Sequence, residues 1–173
     1  MPKGSVCAEI GVWKGDFSRK ILNRVQPQTL HLIDPWEFID DGGYERAAYG
    51  GKVAKGQEDM DKLFENVQER FASEIAGGVV RIHRATSADA GPSFPDDYFD
   101  WVYIDANHSY EFVREDLRVY HAKVKPGGYL AGDDYGTKGW WGTGVKDAVD
   151  EFVAAGKAQW ALQDGSQFVL QKR

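Results

Sequence analysis

A chain of 173 residues has the length of one domain and buries about 70% of its unfolded surface, enough for a core without disulfide or metal staples. Hydrophobic residues at 42% and charged residues at 28% are ordinary for a globular protein and exclude a disordered chain. The net charge of −6 opposes general affinity for nucleic acid or anionic lipid. No run approaches the roughly 20 apolar residues of a membrane span. The opening MPKGSVCAEIG lacks the pattern of a signal peptide, and the lone Cys7 cannot close an internal disulfide. Composition therefore predicts a single cytoplasmic domain over residues 1–173, without nucleic-acid or membrane partners.

The elements alternate. Val6–Ile10 is a short apolar run, followed by Gly11-Val12-Trp13-Lys14-Gly15 and a helical stretch with Asp16 at the N-cap position and an apolar stripe of Phe17, Ile21, Leu22 and Val25. Pro27 ends that helix, and Leu30–Ile33 reads as the second strand. Residues 35–58 carry five glycines among aromatics, too many for a stable helix, and read as a mobile insertion. Met60, Leu63, Phe64, Val67, Phe71 and Ile75 then keep helical spacing up to Gly77-Gly78.

Val79–Ile82 and Trp101–Ile104 read as the third and fourth strands. Tyr110, Val113, Leu117, Tyr120 and Val124 mark a helix ended by Pro126-Gly127-Gly128, and Tyr129–Ala131 is the fifth strand. Val145, Ala148, Val149, Phe152 and Val153 mark one more helix. The chain closes on two strands, Gln159–Leu162 and Gln167–Leu170, joined through Asp164-Gly165, a strong hairpin signal. This pattern predicts an α/β fold: a doubly wound, Rossmann-like, mostly parallel seven-stranded sheet with an antiparallel last strand.

Ligands of such sheets gather outside the carboxyl ends of the strands. The first strand ends in Glu9-Ile10-Gly11-x-x-x-Gly15, where glycines admit close backbone approach and a helix N-terminus follows. The second ends in Asp34, whose carboxylate can accept hydrogen bonds from both hydroxyls of a ribose. Each residue alone is more readily a turn glycine or the cap of the Pro35 turn. Together, in one βαβ unit, they point to a nucleoside ligand. The spacing is not the G-x-G-x-x-G of dinucleotide sites, so a nicotinamide-dependent oxidoreductase is disfavoured and a cofactor with one nucleoside and no phosphate fits better.

With Glu9-x-Gly11-x-x-x-Gly15 and the antiparallel closing strand, nearly the whole chain resembles the class I S-adenosylmethionine-dependent methyltransferases. The resemblance implies that Glu9, Gly11 and Gly15 lie by the methionine end of the cofactor, that Asp34 binds the ribose, and that Thr86 and Ser87, beyond the third strand, contact the adenine. Thr86-Ser87-Ala88-Asp89 is also a plain helix-cap pattern.

The fourth strand runs into Asp105-Ala106-Asn107-His108-Ser109-Tyr110, and the fifth into Gly132-Asp133-Asp134-Tyr135. Neighbouring strand ends thus present Asp105, Asp133 and Asp134. Like charges this close repel, and such a set of hard oxygen ligands suits Mg²⁺; the alternative is carboxylates that hold the cofactor amine or cap a helix. The cluster is similar to that of the metal-dependent O-methyltransferases of the catechol, caffeoyl-coenzyme A and macrocin types. This similarity implies a metal on Asp105, Asp133 and Asp134, and a general base three positions after the first aspartate, which here is His108. Asn107 stands where the macrocin type has the aspartate that serves as base. His31, His83 and His121 show no ligand spacing and read as structural, and Cys7 as buried.

The expected function is Mg-assisted methyl transfer from S-adenosylmethionine to a hydroxyl of a small-molecule acceptor. A metal-independent methyltransferase on another acceptor, and a non-catalytic cofactor-binding scaffold subunit, are the alternatives. The aromatic segments Trp36–Tyr49 and Tyr135–Trp141 follow strand ends and are the candidate lid. Few residues precede the first strand to cover the acceptor, which makes a homodimer an expectation as well. Nothing resembles an Asn-Pro-Pro-Tyr run for a flipped base.

Overall fold

The computed structural model describes residues 1–39, 49, 54–139 and 141–173. In chain order these form β1 (Val6–Ile10), α1 (Asp16–Val25), β2 (Thr29–Asp34), α2 (Gln57–Arg70), α3 (Ala72–Ala76), β3 (Val80–Arg84), α4 (Ser87–Ala90), β4 (Phe99–Ile104), α5 (Tyr110–Lys123), β5 (Val124–Gly132), α6 (Gly144–Ala154), β6 (Ala158–Asp164) and β7 (Gln167–Lys172). The sheet has seven strands in the order β3-β2-β1-β4-β5-β7-β6. Strands β1 to β5 pair in parallel, and β7 lies antiparallel between β5 and β6. The strand order reverses between β1 and β4, so the crevice between their carboxyl ends is the place where a ligand can enter.

Alternation of side chains along each strand divides the core into two layers. Ala8, Ile10, Val102, Ile104 and Leu130 join Val113, Leu117, Tyr120, Val145 and Val149 from α5 and α6. Cys7, Leu30, Leu32, Trp101 and Tyr103 join Ile21, Val67 and Phe71 from the α1 and α2 side. Trp101, Tyr120, Phe71 and Phe99 are each at most 1% exposed, and each such burial contributes about 2–3 kcal/mol. Cys7 is buried, which pushes its thiol up to about 12 and leaves it an inert packing residue. Among the described residues no helix is long and apolar enough to cross a membrane.

Several boundaries differ from the sequence reading for physical reasons. Gly15, not Asp16, caps α1, with φ 75°, and Asp16 is the first helical residue. That helix closes on Gln26 in the left-handed conformation, before Pro27. The single helix expected over 60–75 breaks at Phe71, whose buried ring holds the chain at φ −111° between α2 and α3. Strand β5 starts at Val124, directly after α5, and takes in Pro126-Gly127-Gly128 as an irregularity in its pairing with β4. Of the insertion expected over 35–58, residues 40–48 and 50–53 lie outside the described residues. Its near end is built in: Trp36 is fully buried, and Gln57 already belongs to α2.

Candidate active site

The two motif glycines are required by packing. Gly11 has φ +85°, and a Cβ there would lie 2.1 Å from the Asp105 carbonyl oxygen. The ends of β1 and β4 therefore meet only because residue 11 has no side chain. Around this contact the Gly11 N–H donates to the Ile33 carbonyl at 2.9 Å, and the Asp105 N–H to the Ile10 carbonyl at 2.8 Å. Gly15, also left-handed, faces the Phe71 ring, 2.6 Å from where its Cβ would be. Glu9, one residue before the loop, is 2% exposed and accepts a 2.5 Å hydrogen bond from the Ser18 hydroxyl. Burial raises its carboxyl to about 8, the Asp105 and Asp34 charges adding to the shift, so at neutral pH the group is mostly protonated.

Asp34 ends β2 and is 2% exposed. Its Oδ2 accepts from the Val12 and Trp13 N–H groups, both at 2.9 Å. Its Oδ1 accepts from the Trp36 N–H and from the Tyr49 hydroxyl, both at 2.8 Å. The Trp36 bond is the turn cap that the sequence offers as the plain reading of Asp34. Trp13 and Trp36 both have left-handed backbone, φ 52° and 42°, and the Trp36 indole donates to the Trp13 carbonyl at 2.9 Å. One carboxylate thus fixes the glycine loop and the turn after β2 at once.

Thr86 and Ser87 follow β3 beside Asp34, since the Ala85 N–H donates to the Asp34 carbonyl at 3.1 Å. Thr86 caps α4 through Asp89, as its sequence pattern suggests. The Ser87 carbonyl accepts from the Tyr120 hydroxyl at 2.9 Å. Buried Asp116, on the same helix α5, pairs with the Ser87 side chain, and its carboxyl is pushed up to about 6 by burial.

On the other side of the crevice stand the carboxylates of β4 and β5. The His108 Nε2 lies 3.1 Å from Asp105 Oδ1 and 3.0 Å from Asp134 Oδ2. These three residues each offer one ligand atom, all within 4.8 Å of one another. Asp133, the third expected metal ligand, is placed differently. Its Oδ1 accepts from the Ser166 hydroxyl at 2.5 Å and the Asp134 N–H at 2.8 Å, and its Oδ2 lies 3.5 Å from the Tyr103 hydroxyl. Gln167 donates to that hydroxyl at 3.0 Å. The structure therefore brings together Asp105, His108 and Asp134, and uses Asp133 to tie the β6–β7 hairpin to the end of β5.

The Trp141 ring packs on the His108 imidazole with centroids 4.6 Å apart, so the loop after β5 does reach the cluster; Trp140 lies outside the described residues. Sequence reading missed Gly144, where a Cβ would lie 2.7 Å from both the His108 carbonyl oxygen and the Tyr110 nitrogen. It also missed Tyr103 and Ser166 as the partners of Asp133. A glycine at a helix start was the visible signal for the first; the others depend on strand order and have none. His31 and His83 stay away from the crevice: they pair in the core, His31 Nδ1 to His83 Nε2 at 2.9 Å.

The family model described as a methyltransferase domain matches residues 8–135. The solved O-methyltransferase NovP is 26% identical, with a TM-score of 0.66 over 97% of this chain and 72% of its own. A Streptococcus mutans protein solved in complex with SAH is 12% identical, with a TM-score of 0.60 over 100% of this chain and 91% of that one. A Clostridium thermocellum protein provisionally named as an rRNA methylase is 14% identical, with a TM-score of 0.64 over 99% and 88%. The last two likenesses bear on the fold alone. A comparison with curated proteins gave no match.

Proposed function

The chain belongs to the methyltransferase domain family and is a class I S-adenosylmethionine-dependent methyltransferase resembling the O-methyltransferases; from that premise we propose that it methylates a hydroxyl of a small molecule, with His108 as general base. The observation that carries this reading is the imidazole held between Asp105 and Asp134 at the mouth of the crevice. The net charge of −6 favours a small acceptor over nucleic acid.

Methyl transfer from a sulfonium is an in-line displacement: the new O–C bond forms as the C–S bond breaks, and its electron pair stays on sulfur. The protein mainly positions donor and acceptor. His108 takes the hydroxyl proton at Nε2, the ring nitrogen that faces Asp105 and Asp134. Asp34, Asp105, Asp133 and Asp134 make the ends of β2, β4 and β5 acidic. That field favours the cationic donor over the neutral thioether product and so assists product release.

Asp105 and Asp134 fit a divalent cation, because two hard oxygens with open positions suit Mg²⁺. Magnesium held there would supply a Lewis acid that acidifies the acceptor hydroxyl. A metal-independent reaction is the second reading, favoured by Asp133 being engaged with Ser166 and by the imidazole already facing the other two carboxylates. The test is a mass-spectrometric screen of hydroxylated small molecules with S-adenosylmethionine, with Mg²⁺ or with chelator, on the wild-type chain and His108→Ala. Methylated product lost in the variant supports the reading; undiminished turnover in the variant removes His108 from it. Activity that survives chelation selects the metal-independent form.

A further inference from the structure

All hydrogen-bond acceptor positions of Asp34 are in use. A carboxylate has about four lone-pair sites, and Val12, Trp13, Trp36 and Tyr49 take two on each oxygen. A ribose hydroxyl can donate to Asp34 only where one of these partners leaves. Three of the four are backbone N–H groups at a fixed β1–α1 loop and a fixed turn, with Trp36 wholly buried and pinned by its indole to Trp13. The fourth, the Tyr49 hydroxyl, is on a half-buried side chain that can swing on two torsions.

Tyr49 also accepts at its hydroxyl oxygen, from the Glu37 N–H at 3.3 Å. It therefore sits between an acceptor, Asp34 Oδ1, and a donor, the Glu37 N–H. A sugar hydroxyl has the same pair of capacities and would satisfy the same two groups when the phenol departs. We propose that the Tyr49 hydroxyl is a stand-in for one ribose hydroxyl of the nucleoside cofactor, occupying its place on Asp34 and the Glu37 N–H and setting cofactor affinity by competing for it. The proposal rests on the nucleoside reading of the Asp34 site.

The test is calorimetric titration of the full chain and of Tyr49→Phe with S-adenosylmethionine, adenosine and 2′,3′-dideoxyadenosine. Phenylalanine keeps the ring and removes the competing hydroxyl. Tyr49→Phe is expected to bind S-adenosylmethionine and adenosine roughly three- to tenfold more tightly, the value of about one net hydrogen bond, with no gain for the dideoxy nucleoside. Equal or weaker binding of adenosine by the variant overturns the proposal while leaving the cofactor reading intact. An equal gain for the dideoxy nucleoside also overturns it, since the effect would not be read through a sugar hydroxyl. Absence of S-adenosylmethionine binding in both proteins rejects the cofactor reading and this proposal together. Asp34→Asn serves as the second variant: it removes the shared acceptor charge, so Tyr49→Phe in that background is expected to give a gain of less than twofold.

Discussion

Gly11 and the Asp105 carbonyl are in contact so close that a single methyl group on residue 11 would come within 2.1 Å of the oxygen. The glycine loop after β1 and the segment after β4 are thereby one mechanical unit. Gly11→Ala adds left-handed strain to this clash, and we expect a loss of about 3 kcal/mol or more in unfolding free energy. Urea unfolding measures it. Stability within about 0.5 kcal/mol of wild type would show that the two ends do not approach as described.

Gly144 makes the matching contact at the start of α6, against His108 and Tyr110. A methyl group there pushes α6 off the His108–Tyr110 segment without touching the glycine loop after β1. Gly144→Ala is expected to lower kcat by about tenfold or more, as for a misplacement on the order of 1 Å, while S-adenosylmethionine affinity stays near wild type. Parallel loss of cofactor affinity would contradict this division of labour.

His31 is 2% exposed and paired with His83, and burial lowers its imidazole to about 4, with the His83 and Arg81 charges acting in the same direction. The unfolded chain, with an ordinary value of 6.5, then binds a proton that the folded chain refuses between those limits. Stability is full above pH 6.5 and is lost as pH falls through 6.5 towards 4, by at most about 3 kcal/mol. Denaturant titrations from pH 7 to 4.5 on wild type and His31→Phe will show a shallower slope in the variant. Identical slopes would mean that the pair opens to solvent or takes up a proton without cost.

Asp133 and Asp134 are neighbours with opposite duties. Asp133→Ala leaves the Ser166 hydroxyl and the Asp134 N–H without their acceptor, and is expected to destabilise the chain by about 1–3 kcal/mol. Asp134→Asn, a residue that suits the left-handed backbone at φ 61°, removes the charge on one side of the His108 cradle and is expected to lower turnover, and any Mg²⁺ stimulation, with less than about 1 kcal/mol lost in stability. Thermal unfolding and the methylation assay together decide; the reverse pattern would exchange the two roles.

Much of the fold was legible because it is written in local signals. Asp164-Gly165 marks the hairpin, and the apolar runs at Val6–Ile10 and Trp101–Ile104 mark buried parallel strands. Thr86 was legible as a cap, and Asp105, His108 and Asp134 as residues at strand ends. What escaped depends on partners far along the chain. The ring of Phe71, where α2 gives way to α3, fills the space in front of Gly15, which no helical spacing announces. Asp133 turns to Ser166, 33 residues later, because β7 inserts beside β5. The saturation of Asp34 required Trp13, Trp36 and Tyr49 to meet at one carboxylate; the sequence shows the aromatics but not their convergence.

Strand β7, wedged antiparallel between β5 and β6, also sets an order of assembly. During synthesis the parallel strands β1 to β5 emerge first, and with them the glycine loop, Asp34 and the His108 cluster. Asp133 then waits for Ser166, the inner side of β5 waits for Phe168 and Leu170, and Asp97 waits for Lys172. A nascent chain can thus shape the β1–β2 side of the crevice while its β5 side is still unbraced. Of the seven strands, the hairpin made last is the piece that closes this edge of the sheet.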